Sequence, residues 1–479
     1  MSGGFRLIRR QLHGSLGTVF SHLLCPPTIR RSRWPSLVRR ASGPSRLAHR
    51  HLGSGTCSEI QLPCRVKQQI LSHTYDNGLT LVAEPMGSVE SAAFSFLLPC
   101  GAAYDPGGRA GLSTLTSELM LRGCGPRDSR QFVNDLDNLG VERGESVSAV
   151  HASFGGATLA DNLFAALEIY ADLLRRPHLP ADKLEACRQG VLQEVMAVED
   201  DPSQKAMQEL RRQHFPAPYG LPSHGDEEGL AAATLDDVAG CYQRLYRPNE
   251  AILGVAGRID WSALRDKVGE LLGDWPSRQV APPPSVNGGQ RRLHLEHDSQ
   301  QTQVGIAFSW VPYRDPEYFE SFAGIWALGG GGFSTRFFLE VREKRGLCYA
   351  ISASPYNITR DLAAVLCYAG TTAQRAQETL DVMLEELRRL PQGITQSELD
   401  FLKARVKSSL IMQQESSSAR SGAIARDWYH LGRVRTLDEL SAIVDGLTVE
   451  RINRHLAAHP PRDLTIVTLG PEELQVGEM

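Results

Sequence analysis

The stretch Ala110–Gly123, "AGLSTLTSELMLRG", sets Thr114, Ser117 and Glu118 at i, i+3 and i+4. That is the spacing by which a helix aims several side chains at one point. Leu112, Leu115, Leu119 and Met120 recur at helical period on another face and are expected to point inward. Residue type limits what the polar face can do. Hydroxyls are poor zinc ligands, and they are weak nucleophiles without a base beside them. Glu194, in "LQEVMAVED", adds a second carboxylate. Glu118 and Glu194 together suit a hard cation, but two ligands without a third bind weakly.

A different chemistry is on offer further along. "REKRGLCY" places Arg342 and Tyr349 seven residues apart, and a guanidinium and a phenol are suitable donors for a carbonyl oxygen gaining negative charge. The alternative is a well-packed helix-to-strand junction with Arg342 in a salt bridge. Just upstream, Gly329, Gly330, Gly331 and Gly332 of "LGGGGF" form a permissive backbone whose N–H groups can lie against a peptide. They form either such a loop or a plain Gly-rich turn between helices. No G-K-[ST] follows, so this is not a phosphate loop. His151 has no second His nearby and reads as a satisfied core or surface histidine, and Glu199-Asp200-Asp201 as a solvated helix end.

The elements that must position these residues can be read coarsely. Asp76-Asn77-Gly78 is a hairpin-type turn feeding the strand of "YDNGLTLVAEP", and "SAAFSFLLPCG" is a buried strand. Helices are expected at about 129–139, 161–176, 180–199 and 235–245, then the strand "AILGVAG" and the helix "WSALRDKVGELLGDW". Residues 276–296 are rich in Pro and Gly and begin without periodicity, as a linker does. Beyond them the chain repeats itself. "TLDDVAGCYQRLYRPNEAILGVAG" is echoed by "LTVERINRHLAAHPPRDLTIVTLG", with Leu235 matching Val449, an offset of about 214 residues. Before it, in the same order, "RRPHLPADKLEACRQGVLQE" is echoed by "RRLPQGITQSELDFLKARVKSSL". Two ordered matches predict two copies of one α+β domain, 65–275 and 297–472, each a mostly antiparallel sheet with helices on one face.

Composition excludes other classes. Residues 1–58 carry ten Arg and no Lys, Asp or Glu, so the net charge of −4 divides into +10 there and −14 elsewhere. An acidic body argues against nucleic acid as a partner. The Arg-rich leader, 1–64, reads as a transit peptide or as a start site placed too far upstream. No apolar run is long enough for a membrane span. Nine scattered Cys without a C-x-x-C pair suit a reducing compartment.

The segments "YDNGLTLVAEPM", "GAAYDPGGRAGLSTL", "LQEVMAVEDDP", "YRPNEAILGVAGRID" and "LGGGGFSTRFFLEVREKRGLCYAI" together resemble the pitrilysin/insulysin family of zinc peptidases. The likeness is greatest to the half-size branch that includes mitochondrial processing peptidase. The resemblance spans about residues 72–472 and implies two related domains that pair with a second chain around unfolded peptides. Catalytic members carry H-x-x-E-H, in which two His bind zinc and the Glu is the general base. Aligned without gaps, Thr114 stands at the first His, Ser117 at the Glu and Glu118 at the second His, and Glu194 matches a distal Glu ligand. The resemblance also assigns Arg342 and Tyr349 to the substrate backbone and oxyanion, and Gly329–Gly332 to the family's glycine-rich loop.

Together these readings predict a substrate-binding subunit with no zinc of its own. Its partner is a related subunit bearing the zinc motif, or a second copy of itself. The alternatives are a structural core subunit, as in respiratory bc complexes, or a peptide-binding homodimer. The expected location is the cytoplasm of a bacterium, or the mitochondrial matrix if the leader is a genuine transit peptide.

Overall fold

The computed structural model describes residues 68–285 and 289–477; the Arg-rich leader lies outside them. The first half runs β1 (Leu71–Thr74), β2 (Thr80–Pro85), β3 (Ser91–Leu98), α1 (Leu112–Met120), β4 (Gly123–Cys124), β5 (Arg127–Asp128), α2 (Ser129–Asn138), β6 (Glu142–Val147), β7 (Ala152–Leu159), α3 (Leu163–Arg175), α4 (Leu184–Glu199), α5 (Pro202–His214), α6 (Glu227–Ala232), α7 (Leu235–Leu245), β8 (Ile252–Gly257) and α8 (Trp261–Leu272). The second half runs β9 (Arg292–Glu296), β10 (Gln301–Ser309), α9 (Tyr318–Gly329), β11 (Cys348–Asn357), β12 (Ala363–Thr372), α10 (Ala376–Arg389), α11 (Gln396–Gln413), α12 (Ser417–Leu431), α13 (Leu437–Asp445), α14 (Val449–Ala458) and β13 (Thr465–Gly470).

The internal repeat is visible in the sheets. The first has the order β1-β2-β8-β3-β7-β6 and the second β11-β12-β10-β13-β9. In each, the half's last strand runs parallel to an early one, β8 to β2 and β13 to β9. Every other pairing in these two sheets is antiparallel. Thus β9, β10, β11, β12 and β13 repeat β2, β3, β6, β7 and β8, and β1 is an addition to the first sheet. β9 falls inside the segment 276–296 that reads as linker. Leu293 and Leu295 alternate with polar neighbours, and the strand is held by its parallel register with Ile466–Gly470.

Helices cover one face of each sheet, as expected, but the other face is covered too. Along β10, Val304, Ile306 and Phe308 enter the main core of the second half. Ala307, between them, faces Met207, Leu210 and Phe215 of the first half. That period of two is the signature of a strand buried on both sides. The helix responsible is α5, which lies on β10 and β13. The reverse exchange is made by α12, which lies on β2, β3 and β8 and joins Ile424 and Ala425 to Val82 and Ile252. Gly254 makes the close approach possible, since a Cβ there would sit 2.3 Å from the Ser421 carbonyl oxygen. Arg420 of α12 meets Glu84 of β2 at 2.8 Å with both side chains buried. The two halves are therefore interlocked by reciprocal helices.

Candidate functional site

Helix α1 is seated by the chain before it. The Asp105 carboxylate accepts from the backbone N–H of Gly111 and of Ser113, each at 2.9 Å, and from the Ser113 hydroxyl. Burial pushes its carboxyl up to about 6, against the pull of those hydrogen bonds. Leu112, Leu115, Leu119 and Met120 enter the core, as their spacing predicts.

The polar face of α1 is engaged within the fold. The Thr114 hydroxyl donates to the Ser223 carbonyl at 2.6 Å, and Ser117 is buried. Glu118 is paired one turn along with Arg122 at 3.0 Å, and the same guanidinium donates to the Cys187 sulfur. Glu194, on α4, lies 3.0 Å from Nδ1 of His224. A group of three His, Cys, Asp or Glu ligand atoms within 4.8 Å of one another does not form around Glu118 or Glu194 among the described residues.

His224 had no signal in the sequence beyond a histidine beside a glycine. It is brought here because Gly225 and Gly229 let their segment lie flat on the start of α1. A Cβ on Gly225 (φ +73°) would stand 2.3 Å from the Ala110 carbonyl, and one on Gly229 2.5 Å from Ala110. Glu145 of β6 was also missed; burial holds its carboxyl above the usual range while Tyr170 donates to it.

The second constellation is built differently. Residues Phe338–Glu343 form a π-helical turn, with the Lys344 N–H bonded to the Leu339 carbonyl five residues back. Such turns are uncommon and recur at functional sites. The β11–β12 register slips between Cys348 and Ala350, which leaves Tyr349 as a bulge on an edge strand. A bulge re-aims its side chain, and Tyr349 is 83% exposed. The Arg342 guanidinium lies 4.9 Å from the ring centroids of both Phe338 and Tyr349. No carboxylate among the described residues comes within salt-bridge distance of it. Arg342 and Tyr349 are therefore together and in contact, and the salt-bridged junction is not what is found.

Gly329 closes α9 and is buried against Ala353 and Phe337. Gly331 and Gly332 adopt φ of +135° and +93°, open only to glycine at low cost. The loop delivers Phe333, 74% exposed, edge-on to Phe338 at 5.0 Å. Phe333, Phe338, Arg342 and Tyr349 thus form one continuous aromatic and cationic surface. His151 is a core residue edge-on to Tyr429 at 4.3 Å, and burial lowers its imidazole to about 3. Asp201 caps α5 through the N–H groups of Ser203 and Gln204, and Glu199 pairs with Lys205, so that acidic run serves a helix start. The described cysteines form no disulfide.

The two interlocked α+β repeats form a twin-domain fold. A model described as insulinase (peptidase family M16) matches residues 82–224, and one for the peptidase M16 inactive domain matches residues 232–406. The chain belongs to the insulinase-like M16 peptidase family, as the sequence resemblance implies. It is 27% identical over 409 residues to an uncharacterized zinc protease of Mycobacterium tuberculosis, covering 83% of this chain and 92% of that protein. The peptidase M16 inactive domain of Pseudomonas fluorescens superposes with a TM-score of 0.78 at 22% identity, over 85% of this chain and 100% of that one. A chain of complex III2 from Candida albicans shares the fold at TM-score 0.72 and 18% identity, over 84% of this chain and 96% of its own. Among the described residues, no helix is long and apolar enough to cross a membrane.

Proposed function

We propose that this chain is a non-hydrolytic, substrate-binding subunit that works with a related subunit carrying an intact H-x-x-E-H motif. The observation that carries this is the contrast within the molecule. The side chains at the zinc-motif positions are tied into the fold, whereas Arg342 and Tyr349 are left free. The donors on and near α1 do not fit a zinc ion. Thr114 offers a hydroxyl already given to Ser223, Glu118 faces the Arg122 cation, and Glu194 has only the His224 Nδ1 at 3.0 Å beside it. Ser117 cannot serve as a base near neutral pH. In this reading the partner supplies metal and base. Arg342 and Tyr349 donate to the peptide carbonyl, and Phe333 offers an apolar face to its side chains. The turn at Gly331 and Gly332 lies along the backbone, since Gly329 ends α9 and the Gly330 N–H is held by the Trp326 carbonyl.

The location that goes with this reading is the cytoplasm of a bacterium. A structural subunit without substrate contacts is the second reading, favoured by the fold shared with a complex III2 chain, but it gives no account of the exposed Arg342–Tyr349 pair. The test is recovery of the native protein with its bound subunits, followed by a peptidase assay on an unfolded substrate with and without chelator. Chelator-sensitive cleavage by the recovered complex, and none by the isolated chain, is expected. Cleavage by the isolated chain, abolished in Glu194→Ala, would refute the proposal.

A further inference from the structure

Away from both constellations, three ligating side chains converge in the second half. Glu317 immediately precedes α9, His455 is on the last turn of α14, and His459 immediately follows that helix. Each offers one ligand atom, and the three lie within 4.8 Å of one another, the only such group among the described residues. The i, i+4 spacing puts both imidazoles on one face of α14. Their rings stack with centroids 4.4 Å apart and planes 27° from parallel.

The hydrogen bonds fit ligation. His455 is 2% exposed, with Nδ1 2.9 Å from Glu317 Oε2 and Nε2 without a partner. His459 Nδ1 lies 3.1 Å from the His455 carbonyl oxygen. A carbonyl only accepts, so His459 Nδ1 carries the proton and its Nε2 keeps a lone pair. Metal-binding histidines are commonly fixed in this way by a backbone carbonyl. The plainer reading is that Glu317 merely satisfies a buried imidazole, but it leaves the second, stacked imidazole without a role. A carboxylate also only accepts, so His455 Nδ1 donates to Glu317 in the ion-free chain. A cation would take the place of that proton. Tetrahedral ligands about 2.0–2.1 Å from zinc sit roughly 3.3 Å apart, so the Glu317–His455 pair need open by only a few tenths of an ångström. The nearby cation, Arg451, is already taken up by the buried Glu320. The negative end of the α14 dipole also favours positive charge there.

We propose that Glu317, His455 and His459 form a binding site for a first-row divalent cation of the zinc type, independent of the helix where the family's motif falls. Two nitrogens and one carboxylate oxygen select zinc, cobalt or nickel over calcium or magnesium. An ion there would tie the start of α9 to the end of α14. The test strips the full chain with chelator, titrates zinc chloride calorimetrically, and measures metal retained after desalting. One zinc per chain is expected in the native protein and equally in Glu194→Ala. His459→Ala alters an exposed side chain, and Glu317→Gln keeps an oxygen to accept from the buried His455 Nδ1. Their metal-free melting should therefore stay close to that of the native chain while zinc affinity falls at least tenfold. Absence of stoichiometric uptake of zinc, cobalt or nickel by the native chain would overturn the site. So would uptake unchanged in both variants. Loss of uptake in Glu194→Ala alone would overturn this site and the proposed function together, whereas loss confined to His459→Ala and Glu317→Gln supports the site and leaves that function standing.

Discussion

The two halves share a topology and treat their polar groups in opposite ways. Around α1, Thr114 and Glu118 have partners within the chain, Ser223 and Arg122, and Glu194 lies 3.0 Å from His224 Nδ1 without a formed hydrogen bond. Around β11, Arg342 is held only by aromatic faces and Tyr349 projects from a bulge. The buried Thr114 hydroxyl is satisfied locally because an unpaired buried donor costs about 1–3 kcal/mol, and the half-exposed Glu118 is neutralised by Arg122 one turn along. Groups that do meet a ligand are left open and positioned by unusual backbone, here a π-turn, a bulge and two glycines at positive φ. The comparison thus separates a face absorbed into the structure from one kept for contact.

The largest expected effect tests the interlock that brings both faces into one molecule. Removing one member of a buried, paired charge costs about 3–5 kcal/mol, because the other charge stays behind. Arg420→Met keeps much of the side-chain volume and leaves the Glu84 charge under α12 with only the Gln68 amide donating to it. Chemical denaturation should show a loss of that size. The paired change Arg420→Met with Glu84→Leu should recover most of it. If the single variant is as stable as the native chain, α12 is not locked to the first sheet through this pair.

Next in size is the contact face itself. Losing one oxyanion donor typically costs about 10²–10³ in rate. Arg342→Ala or Tyr349→Phe should slow hydrolysis by the assembled complex by that factor, with assembly unchanged by size-exclusion chromatography. Undiminished turnover in both variants would make the second face as structural as the first and erase the contrast.

Much of this was legible in the sequence, and the reasons are specific. The repeat was visible because α7–β8 and α14–β13 keep their apolar pattern, and Arg342 and Tyr349 because their spacing survives. The exchange of α5 and α12 was not. Helix α5 buries only Ala206, Met207 and Leu210, a narrow stripe against small residues of β10, and the remainder of the helix is polar. His224 was invisible because its place depends on glycines lying against a distant helix start. β9 was lost to its surroundings, since five strand residues follow a Pro- and Gly-rich run.

A mid-sized effect follows from the histidines along the interlock. His151 meets Tyr429 of α12, and His214 of α5 lies 2.9 Å from the Thr465 hydroxyl of β13. Burial, the larger cause in each case, lowers His151 to about 3 and His214 to about 4, both from near 6.5. The folded chain refuses protons that the unfolded chain accepts. Their stabilisation is therefore complete above pH 6.5 and declines as pH falls toward 3 or 4. For His151 the loss at pH 5 is about 2 kcal/mol by linkage. Asp105, raised to about 6, acts in the opposite sense and gains stability as pH falls below 6. Denaturation at pH 7.5 and pH 5 should therefore show a pH-dependent loss that shrinks in His151→Gln. An unchanged slope would mean that His151 does not resist protonation.

The smallest expected effect probes the absorbed face, and its smallness is the point. Glu194 and His224 have side chains 43% and 41% exposed, and even as a charged pair a contact so open to water is worth about 0–1 kcal/mol. Glu194→Ala should therefore change stability by less than about 1 kcal/mol and leave the turnover of the complex unaltered. A metal ligand behaves otherwise, since its removal empties a site and lowers activity steeply. Restoring Thr114→His, Ser117→Glu and Glu118→His should not by itself create a strong site. Arg122 would stay beside it as a cation without its carboxylate partner, and Glu194 would still face His224. Adding Arg122→Gln and His224→Ala removes both obstacles and leaves Glu194 unpaired. A second zinc per chain, beyond any bound at Glu317, His455 and His459, that appears only in the five-fold variant and is lost again with Glu194→Ala would show that the first face still has the geometry of a site and has been filled by its own side chains. A second zinc taken up by the triple variant alone would mean that Arg122 and His224 do not obstruct, and the contrast between the two faces would then rest on residue type and not on local pairing.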